Sequence, residues 1–179
     1  MEDCICYGFK GTETWTQKDS NTPTTSITNG ELTITPKSNV WSISNELRWT
    51  KPDGEWVVEF DAKLTGGTGL AFGVQGNKAT IRYGYMVGLE RSGGGNIKAC
   101  QSSSNDSTSL LAIGTSTDYN HYKIIAHNDT TQIFFNNVLK QTLEDNDWLT
   151  GECWIFIGGW YADAKGWFKN LRIKPYQAE

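Results

Sequence analysis

The chain has 179 residues, of which 37% are hydrophobic and 20% charged, enough for one globular domain with a substantial core. Its net charge of −4, with no window that concentrates lysine and arginine, argues against the basic footprint that binding to nucleic acid requires. No apolar stretch approaches the roughly 20 residues that span a bilayer. The sequence therefore predicts no nucleic-acid partner and no membrane insertion.

The N-terminal region is polar, with a stretch rich in threonine and serine over residues 12–29. We predict a single domain over residues 1–179, in which 1–29 form an N-terminal strand and polar loop and 30–176 form the main body. The first residues lack the positive and apolar regions of a secretory signal. Two origins stay open: a fragment of a longer surface protein, and a virion protein released by lysis.

The four cysteines are too few for a disulfide scaffold in a chain of this length. Cys4 and Cys6 lie too close together to bridge as neighbours on a strand. A zinc site of four thiolates needs a second closely spaced pair, whereas Cys100 and Cys153 are far apart. We therefore expect free thiols and no metal site.

Short segments of alternating polarity predict a succession of β-strands from residue 30 onward. Gly30–Thr35 and Val40–Leu47 predict the first sheet edge, and Lys51–Gly54 is a turn signal before the next strand. From Glu55 to Leu64 the even positions are apolar and most odd positions are polar, which is the period of a half-buried antiparallel strand. The predicted buried face of this strand carries Trp56, Val58, Phe60 and Ala62.

The segments 68–75 and 79–90 predict the next two strands. One face of the second segment carries Arg82 beside two glycines, Gly84 and Gly88. Such a face leaves shallow space where a flat ligand could lie against the backbone. Glycine within a strand also marks curvature, and this alternative stays open.

The C-terminal half continues the strand pattern. Asn128-Asp129-Thr130 predicts the turn of a hairpin, and Asn136-Asn137 predicts the next turn. The segments 152–161 and 166–174 supply the last two strands. With roughly a dozen strands and no helical segment, the sequence predicts an all-β fold.

Several strand motifs, taken in order, resemble laminin G-like members of the concanavalin A-like lectin/glucanase superfamily. They are Glu55–Asp61, Gly84–Leu89, His121–Ile124, Phe134–Leu139, Ile155–Gly158 and Phe168–Ile173. The resemblance implies a two-sheet antiparallel jelly-roll β-sandwich, a fold that commonly carries sugar recognition.

The opening segment Phe9–Trp15 also resembles the first strand of jelly-roll carbohydrate-binding modules. In those modules a segment near the N-terminus often helps to hold a structural calcium. The candidate ligands here are Asp3, Glu13 and Asp163, but no spacing ties these acids into one site. We predict no cofactor and keep a structural calcium as the alternative.

Glucanases of this superfamily use a strand motif of the form E-x-D-x-E, with two glutamates as nucleophile and acid/base. Glu59 and Asp61 begin that pattern, which then fails at Lys63. Glu55 adds a third acid to the same face, so a glycoside hydrolase with an atypical carboxylate pair is a less favoured alternative. We predict that the protein is not an enzyme.

Sugar sites combine an aromatic platform with planar polar partners. The best local match is the connection from Gly158 to Trp167, whose candidate ligand-binding residues are Trp160, Tyr161, Asp163 and Trp167. Arg82 on the sheet face is a further candidate. The alternative is that both tryptophans pack inward and that only the tyrosine and the aspartate face water.

We therefore expect a noncatalytic carbohydrate-binding or receptor-recognition domain of a cell-surface, secreted or phage-tail protein. Its partner would be a glycan or cell-surface polysaccharide, and its location extracellular, at a cell surface or on a virion. A tail protein would imply a homotrimer in which weak sites add through avidity. The alternative is a structural domain that binds a protein partner through a sheet edge or face.

Overall fold

The computed structural model of the protein describes residues 6–17, 23–37, 40–50, 55–65, 70–76, 85–91, 96–103, 106–115, 118–144, 152–159 and 164–177. The regular structure in these ranges consists of strands, and within them there is no helix with the length and hydrophobicity to cross a membrane. The strands are β1 (Cys6–Tyr7), β2 (Trp15–Gln17), β3 (Thr24–Thr28), β4 (Glu31–Thr35), β5 (Val40–Thr50), β6 (Trp56–Thr65), β7 (Leu70–Gly76), β8 (Tyr85–Arg91), β9 (Asn96–Ser103), β10 (Asp106–Thr115), β11 (Asn120–His127), β12 (Thr130–Phe135), β13 (Val138–Glu144), β14 (Glu152–Gly159) and β15 (Lys165–Pro175).

The strands form two antiparallel sheets. The eight-stranded sheet has the order β13-β12-β11-β6-β15-β4-β3, and β1 pairs with β15. The seven-stranded sheet has the order β10-β9-β8-β7-β14-β5-β2. Strands distant in sequence are neighbours in both sheets, because the chain crosses repeatedly between them. The prediction of an all-β, two-sheet jelly-roll sandwich is confirmed.

Alternation along β6 builds one side of the core. Its even positions from Trp56 to Leu64 are buried, and the odd positions are half-buried with one exception. The exception is Val57, 5% exposed, which lies opposite the buried Ile125 of β11. The predicted buried face is therefore confirmed, whereas its opposite face is less polar at this end because two apolar residues pair there.

Four aromatic side chains join the two sheets. Phe72 of the seven-stranded sheet stacks on Phe168 with ring centroids 4.0 Å apart. Phe60 meets Phe72 edge-on at 5.0 Å and stacks on Tyr122 at 5.5 Å. All four residues are at most 1% exposed, so this cluster is the centre of the core.

Strand β5 is irregular in its middle. The step from Trp154 to Phe156 on β14 faces the step from Arg48 to Ile43 on β5, so β5 carries extra residues that bulge outward. In the bulge, the carboxylate of Glu46 accepts two hydrogen bonds of 2.7 Å from the backbone N–H and the hydroxyl of Thr14. The strand predicted to end at residue 47 therefore continues to residue 50.

The same carboxylate is held in its charged form. Burial by itself raises the pKa of Glu46, but hydrogen bonds from Thr14, from its own backbone N–H and from Ser44 outweigh burial and lower the pKa. The bulge of β5 is thus tied to the segment that precedes β2.

Asparagine provides the tight turns of three hairpins. Asn29 with Gly30, Asn128 with Asp129, and Asn136 with Asn137 all have positive φ. Two successive residues of positive φ form the hairpin turn whose twist matches that of the strands. The predicted turns at 128–130 and 136–137 are confirmed.

Replacing Asn136 by alanine is expected to lower the free energy of unfolding by about 1.5 kcal/mol. Its φ of 48° disfavours a Cβ-branched or apolar side chain, and its amide accepts a bond from the His121 N–H (2.9 Å) and donates one to Asn120 (2.9 Å). Urea unfolding measures the difference. Asn136→Gly tolerates the same φ and loses the side-chain bonds, so its cost is expected to be smaller. Equal costs for the two variants would show that backbone strain is irrelevant at this turn.

Candidate functional site

Most of the predicted site residues lie outside the described part of the chain. These are Trp160, Tyr161 and Asp163, which follow β14, and Arg82, which precedes β8. Trp167 lies within β15 and is described.

The strands that border these residues in sequence are β14 and β8. Strand β14 ends, and strand β8 begins, at opposite ends of the seven-stranded sheet. Strand β14 ends at Gly159, which lies opposite Leu70. Strand β8 begins at Tyr85, which lies opposite Gly76 at the other end of β7. The end of β14 and the beginning of β8 therefore lie at opposite ends of the same sheet.

The outer face of the seven-stranded sheet carries aromatic side chains on β14. Cys153, Ile155 and Ile157 belong to the core between the sheets. Because side chains alternate along a strand, Trp154 and Phe156 point to the outer face. They are only 2% and 1% exposed, so they are fixed in place on this face.

A row of glycines lies beside these aromatic residues. Phe156 pairs with Gly73 of β7, and Gly73 pairs with Gly88 of β8. On the other side of Phe156, the register places Ile43 of β5. We call Gly73 and Gly88 the glycine row. Glycine within a strand leaves room for another group to approach the backbone. Here both Gly73 and Phe156 are buried.

The neighbouring rows of the same face are set by the strand register. Trp154 pairs with Gln75, and Gln75 pairs with Met86. Gly158 pairs with Ala71, and Ala71 pairs with Glu90.

Acidic residues are scarce across this face. Among the described residues that the register places in the rows through Trp154, Phe156 and Gly158, Glu90 is the one acid. At the edge of the face, Glu152 forms an exposed ion pair with Arg48 at 3.5 Å. The described rows thus do not contain two facing carboxylates.

The acids considered for catalysis lie on the other sheet. Asp61 on β6 contacts the His121 ring at 3.0 Å and accepts a hydrogen bond of 2.6 Å from the Asn170 amide. Glu59 lies 3.9 Å from the ammonium of Lys174. Asp61 therefore joins β6 to both β11 and β15, and Glu59 joins β6 to β15.

A tyrosine adds to this polar group. Tyr119 donates a short hydrogen bond to Glu31, and the ammonium of Lys169 lies 3.9 Å from the centre of its ring. Burial raises the pKa of Tyr119 far above its usual value, and the hydrogen bond to Glu31 with the charges of Glu31 and Asp61 raises this pKa further. The hydroxyl is therefore protonated and acts as a donor.

Trp167 lies on the outer face of the eight-stranded sheet. It is half-buried and pairs with Lys63 of β6, while its neighbour Phe168 points into the core. The ammonium groups of Lys63 and Lys165 lie 5.1 Å and 5.0 Å from the centre of its indole. Trp167 thus belongs to a different sheet from β14, because the connection 160–163 joins strands of the two sheets.

The candidate metal ligands are not brought together in the described ranges. Asp3 and Asp163 lie outside them, and Glu13 accepts hydrogen bonds from the backbone N–H groups of Lys10 (2.6 Å) and Gly11 (2.8 Å). Within the described residues, no three histidine, cysteine or acidic side chains form a group suited to a metal ion. Cys153 is buried in the core.

The fold has solved relatives that are dissimilar in sequence. A carbohydrate-binding module, CBM66 from Bacillus subtilis, matches with a TM-score of 0.63 at 16% identity, over 97% of this chain and 98% of the module. The protein has the concanavalin A-like jelly-roll fold. The fold that the strand motifs implied is confirmed. No protein-family model matches the sequence, and no curated protein matches it either.

Other solved structures with this fold include a catalytic domain and a carbohydrate recognition domain. The catalytic domain of an endo-1,3-beta-glucanase (laminarinase) from Thermotoga petrophila matches with a TM-score of 0.62 at 12% identity, over 98% of this chain and 95% of that domain. The Emp47p carbohydrate recognition domain matches with a TM-score of 0.62 at 9% identity, over 91% of this chain and 89% of that domain. The jelly roll is thus shared by proteins described as binding modules and by catalytic domains.

Proposed function

We propose that the protein is a noncatalytic carbohydrate-binding or receptor-recognition domain of a cell-surface, secreted or phage-tail protein. The observation that carries this proposal is the outer face of the seven-stranded sheet, where the glycine row lies beside Phe156. A sugar ring is flat enough to lie against a row without side chains, and the ring that we propose to stack on its C–H face is that of Trp160, because Phe156 is only 1% exposed. The carbohydrate-binding module and the recognition domain of the same fold support this function.

The distribution of acids supports a noncatalytic role. Glycoside hydrolysis needs two carboxylates about 5 to 10 Å apart on either side of the bond that is cleaved. In the described ranges, Glu90 is the one acid in the rows through Trp154, Phe156 and Gly158. On the other sheet, Glu59 and Asp61 are engaged with side chains of neighbouring strands.

The ligand-binding residues that we propose are Trp160, Tyr161, Asp163 and Arg82, together with Trp167, which lies on the eight-stranded sheet and would contact a ligand apart from the glycine row. In sequence, Trp160 continues the alternation of Trp154, Phe156 and Gly158 along β14. The partner is a glycan or cell-surface polysaccharide outside the cell. A homotrimeric tail protein would increase weak affinities through avidity.

A glycan array of the purified protein tests this function, with Trp160→Ala/Tyr161→Ala as the site variant. We expect the intact protein to bind a defined set of glycans and the double variant to lose at least about tenfold in affinity, because it lacks two stacking rings. Circular dichroism establishes that the variant is folded.

A second pair of variants tests on which of the two sheets the glycan binds. Gly88→Leu adds bulk to the glycine row and is expected to weaken the same glycans. Ser26→Leu adds equal bulk to an exposed position of β3 on the other sheet and is expected to have no effect. Binding that survives both the double variant and Gly88→Leu would contradict the proposed site.

The alternative function, binding of a protein partner, has one specific observation in its favour. Val138 and Leu139 on the edge strand β13 are 55% and 46% exposed. An exposed apolar edge offers unpaired backbone groups to the strand of another protein. The absence of any array signal, together with a change in binding of a protein partner by Val138→Thr/Leu139→Thr, would favour this function.

A further inference from the structure

Three lysines surround Trp167 on the outer face of the eight-stranded sheet. Lys165, Trp167 and Lys169 occupy alternate positions of β15, and Lys63 pairs with Trp167 from β6. Two of the ammonium groups lie about 5 Å from the indole centre, at 5.1 Å for Lys63 and 5.0 Å for Lys165. We call Lys63, Lys165 and Lys169 the lysine cluster.

Lys63 and Lys165, the two lysines in contact with Trp167, lie opposite uncharged residues in the strand register, whereas Lys169 lies opposite Asp61. In the described ranges, none of the ion pairs involves Lys63, Lys165 or Lys169. Asp61 and Glu31 lie near Lys169 and balance part of its charge, although each carboxylate is also hydrogen-bonded, Asp61 to Asn170 and Glu31 to Tyr119.

Two ammonium groups on one tryptophan, neither in an ion pair of the described ranges, are informative about the ligand of a chain whose net charge is −4. Because acidic residues outnumber basic residues in the sequence as a whole, a lysine is expected to find an acidic partner. The three lysines of the cluster form no ion pair in the described ranges, and composition does not explain this. The lysines rest on aromatic rings instead of carboxylates, and such contacts are weak at exposed positions. An anionic ligand can therefore draw the ammonium groups away at little cost.

We propose that this face binds an acidic glycan, one that bears carboxylate or sulfate groups. Trp167 provides the apolar platform for a sugar ring, and the lysine cluster holds the anionic substituents by charge-assisted hydrogen bonds. The identity of the ligand as a glycan rests on the proposed function. The location does not, because this site lies on the opposite sheet from the glycine row.

Binding to soluble polysaccharides tests the proposal, with polygalacturonate as the carboxylate probe, dextran sulfate as the sulfate probe and dextran as the uncharged probe. We expect the protein to bind at least one acidic probe, with affinity that falls as salt rises, and not to bind dextran at this face. The probe that is bound tells which anion the site prefers.

Lys165→Gln/Lys169→Gln is the site variant, and it is expected to lower the affinity by about tenfold or more. Lys10→Gln/Lys37→Gln removes the same charge from two exposed positions elsewhere and serves as the matched control, with an expected change below about twofold. Equal losses in the two variants would overturn the proposal, because binding would then depend only on net charge.

Trp167→Ala distinguishes a sugar site from a general polyanion surface. It is expected to weaken the acidic polysaccharide by about fivefold and to leave the binding of inorganic polyphosphate unchanged, because polyphosphate has no ring to stack. Polyphosphate bound as tightly as the polysaccharide, with no effect of Trp167→Ala, would contradict the glycan assignment. If neither acidic probe binds while the array detects neutral glycans, the inference fails and the proposed function stands.

Discussion

Phe60→Ala is expected to lower the free energy of unfolding by about 4 kcal/mol, the largest effect of a single substitution that we predict. The ring is fully buried and contacts Phe72 at 5.0 Å, Tyr122 at 5.5 Å and Phe168 at 6.3 Å between centroids. Alanine would leave a cavity between the two sheets that surrounding strands cannot fill. A decrease of this size is a large part of the stability of a typical domain.

Urea unfolding measures this loss, and two further variants make it specific. Phe60→Leu keeps most of the volume and is expected to lose less than half as much. Phe134→Ala removes a half-buried ring from the outer face of β12, where Lys123 lies 4.9 Å from the ring centre. Its expected cost is about 1 kcal/mol. Similar costs for Phe60→Ala and Phe134→Ala would show that the aromatic cluster is not the centre of the core.

Asp61→Ala is expected to lower the free energy of unfolding by about 2.5 kcal/mol. The carboxylate joins three strands, since it contacts His121 on β11 and accepts a bond from Asn170 on β15. Asn170 has a φ of 56° within the bulge of β15, a conformation that asparagine tolerates better than most residues. Without Asp61, the half-buried His121 and the exposed Asn170 both lose a partner.

Glu152→Ala is the matched control for this acid. Glu152 also pairs with a basic side chain, Arg48 at 3.5 Å, but the two side chains are 42% and 54% exposed. Exposed pairs contribute little, so the expected cost is below about 1 kcal/mol. Equal destabilisation by Asp61→Ala and Glu152→Ala would contradict the role of Asp61 as a link between strands.

Strand type and turn positions were predictable from sequence for a physical reason. Burial of one face imposes a period of two on β6, and this period is visible in the apolar residues Trp56 and Phe60. The turns at Asn128 and Asn136 were predictable because asparagine accepts positive φ at low cost. Both are local properties, so the sequence of a single segment is enough to predict them.

Sheet membership was not predictable, because it depends on pairings between distant segments. Trp160 and Trp167 are close in sequence and were placed in one candidate site, but Trp167 lies on the eight-stranded sheet whereas β14 lies in the seven-stranded sheet. The lysine cluster was missed for the same reason. Lys63 comes next to Lys165 only through the pairing of β6 with β15.

The glycine row was predictable from the sequence only in part. Gly88 was visible as one of the glycines that alternate on the segment 79–90. That Gly73 lies opposite it, beside Phe156, follows from the register of three strands. No pattern within one segment contains that register, and a slip by one residue would have moved both glycines to the core face.

The most direct test of carbohydrate binding by this jelly roll is an NMR titration of the ¹⁵N-labelled protein with the best neutral glycan from the array. We predict that the backbone amide signals of Gly73, Gly88 and Gly158 shift with increasing ligand, whereas those of β3 and β4 on the other sheet stay constant. Shifts confined to the eight-stranded sheet, or no shifts with any glycan, would contradict the proposal that the seven-stranded face binds carbohydrate.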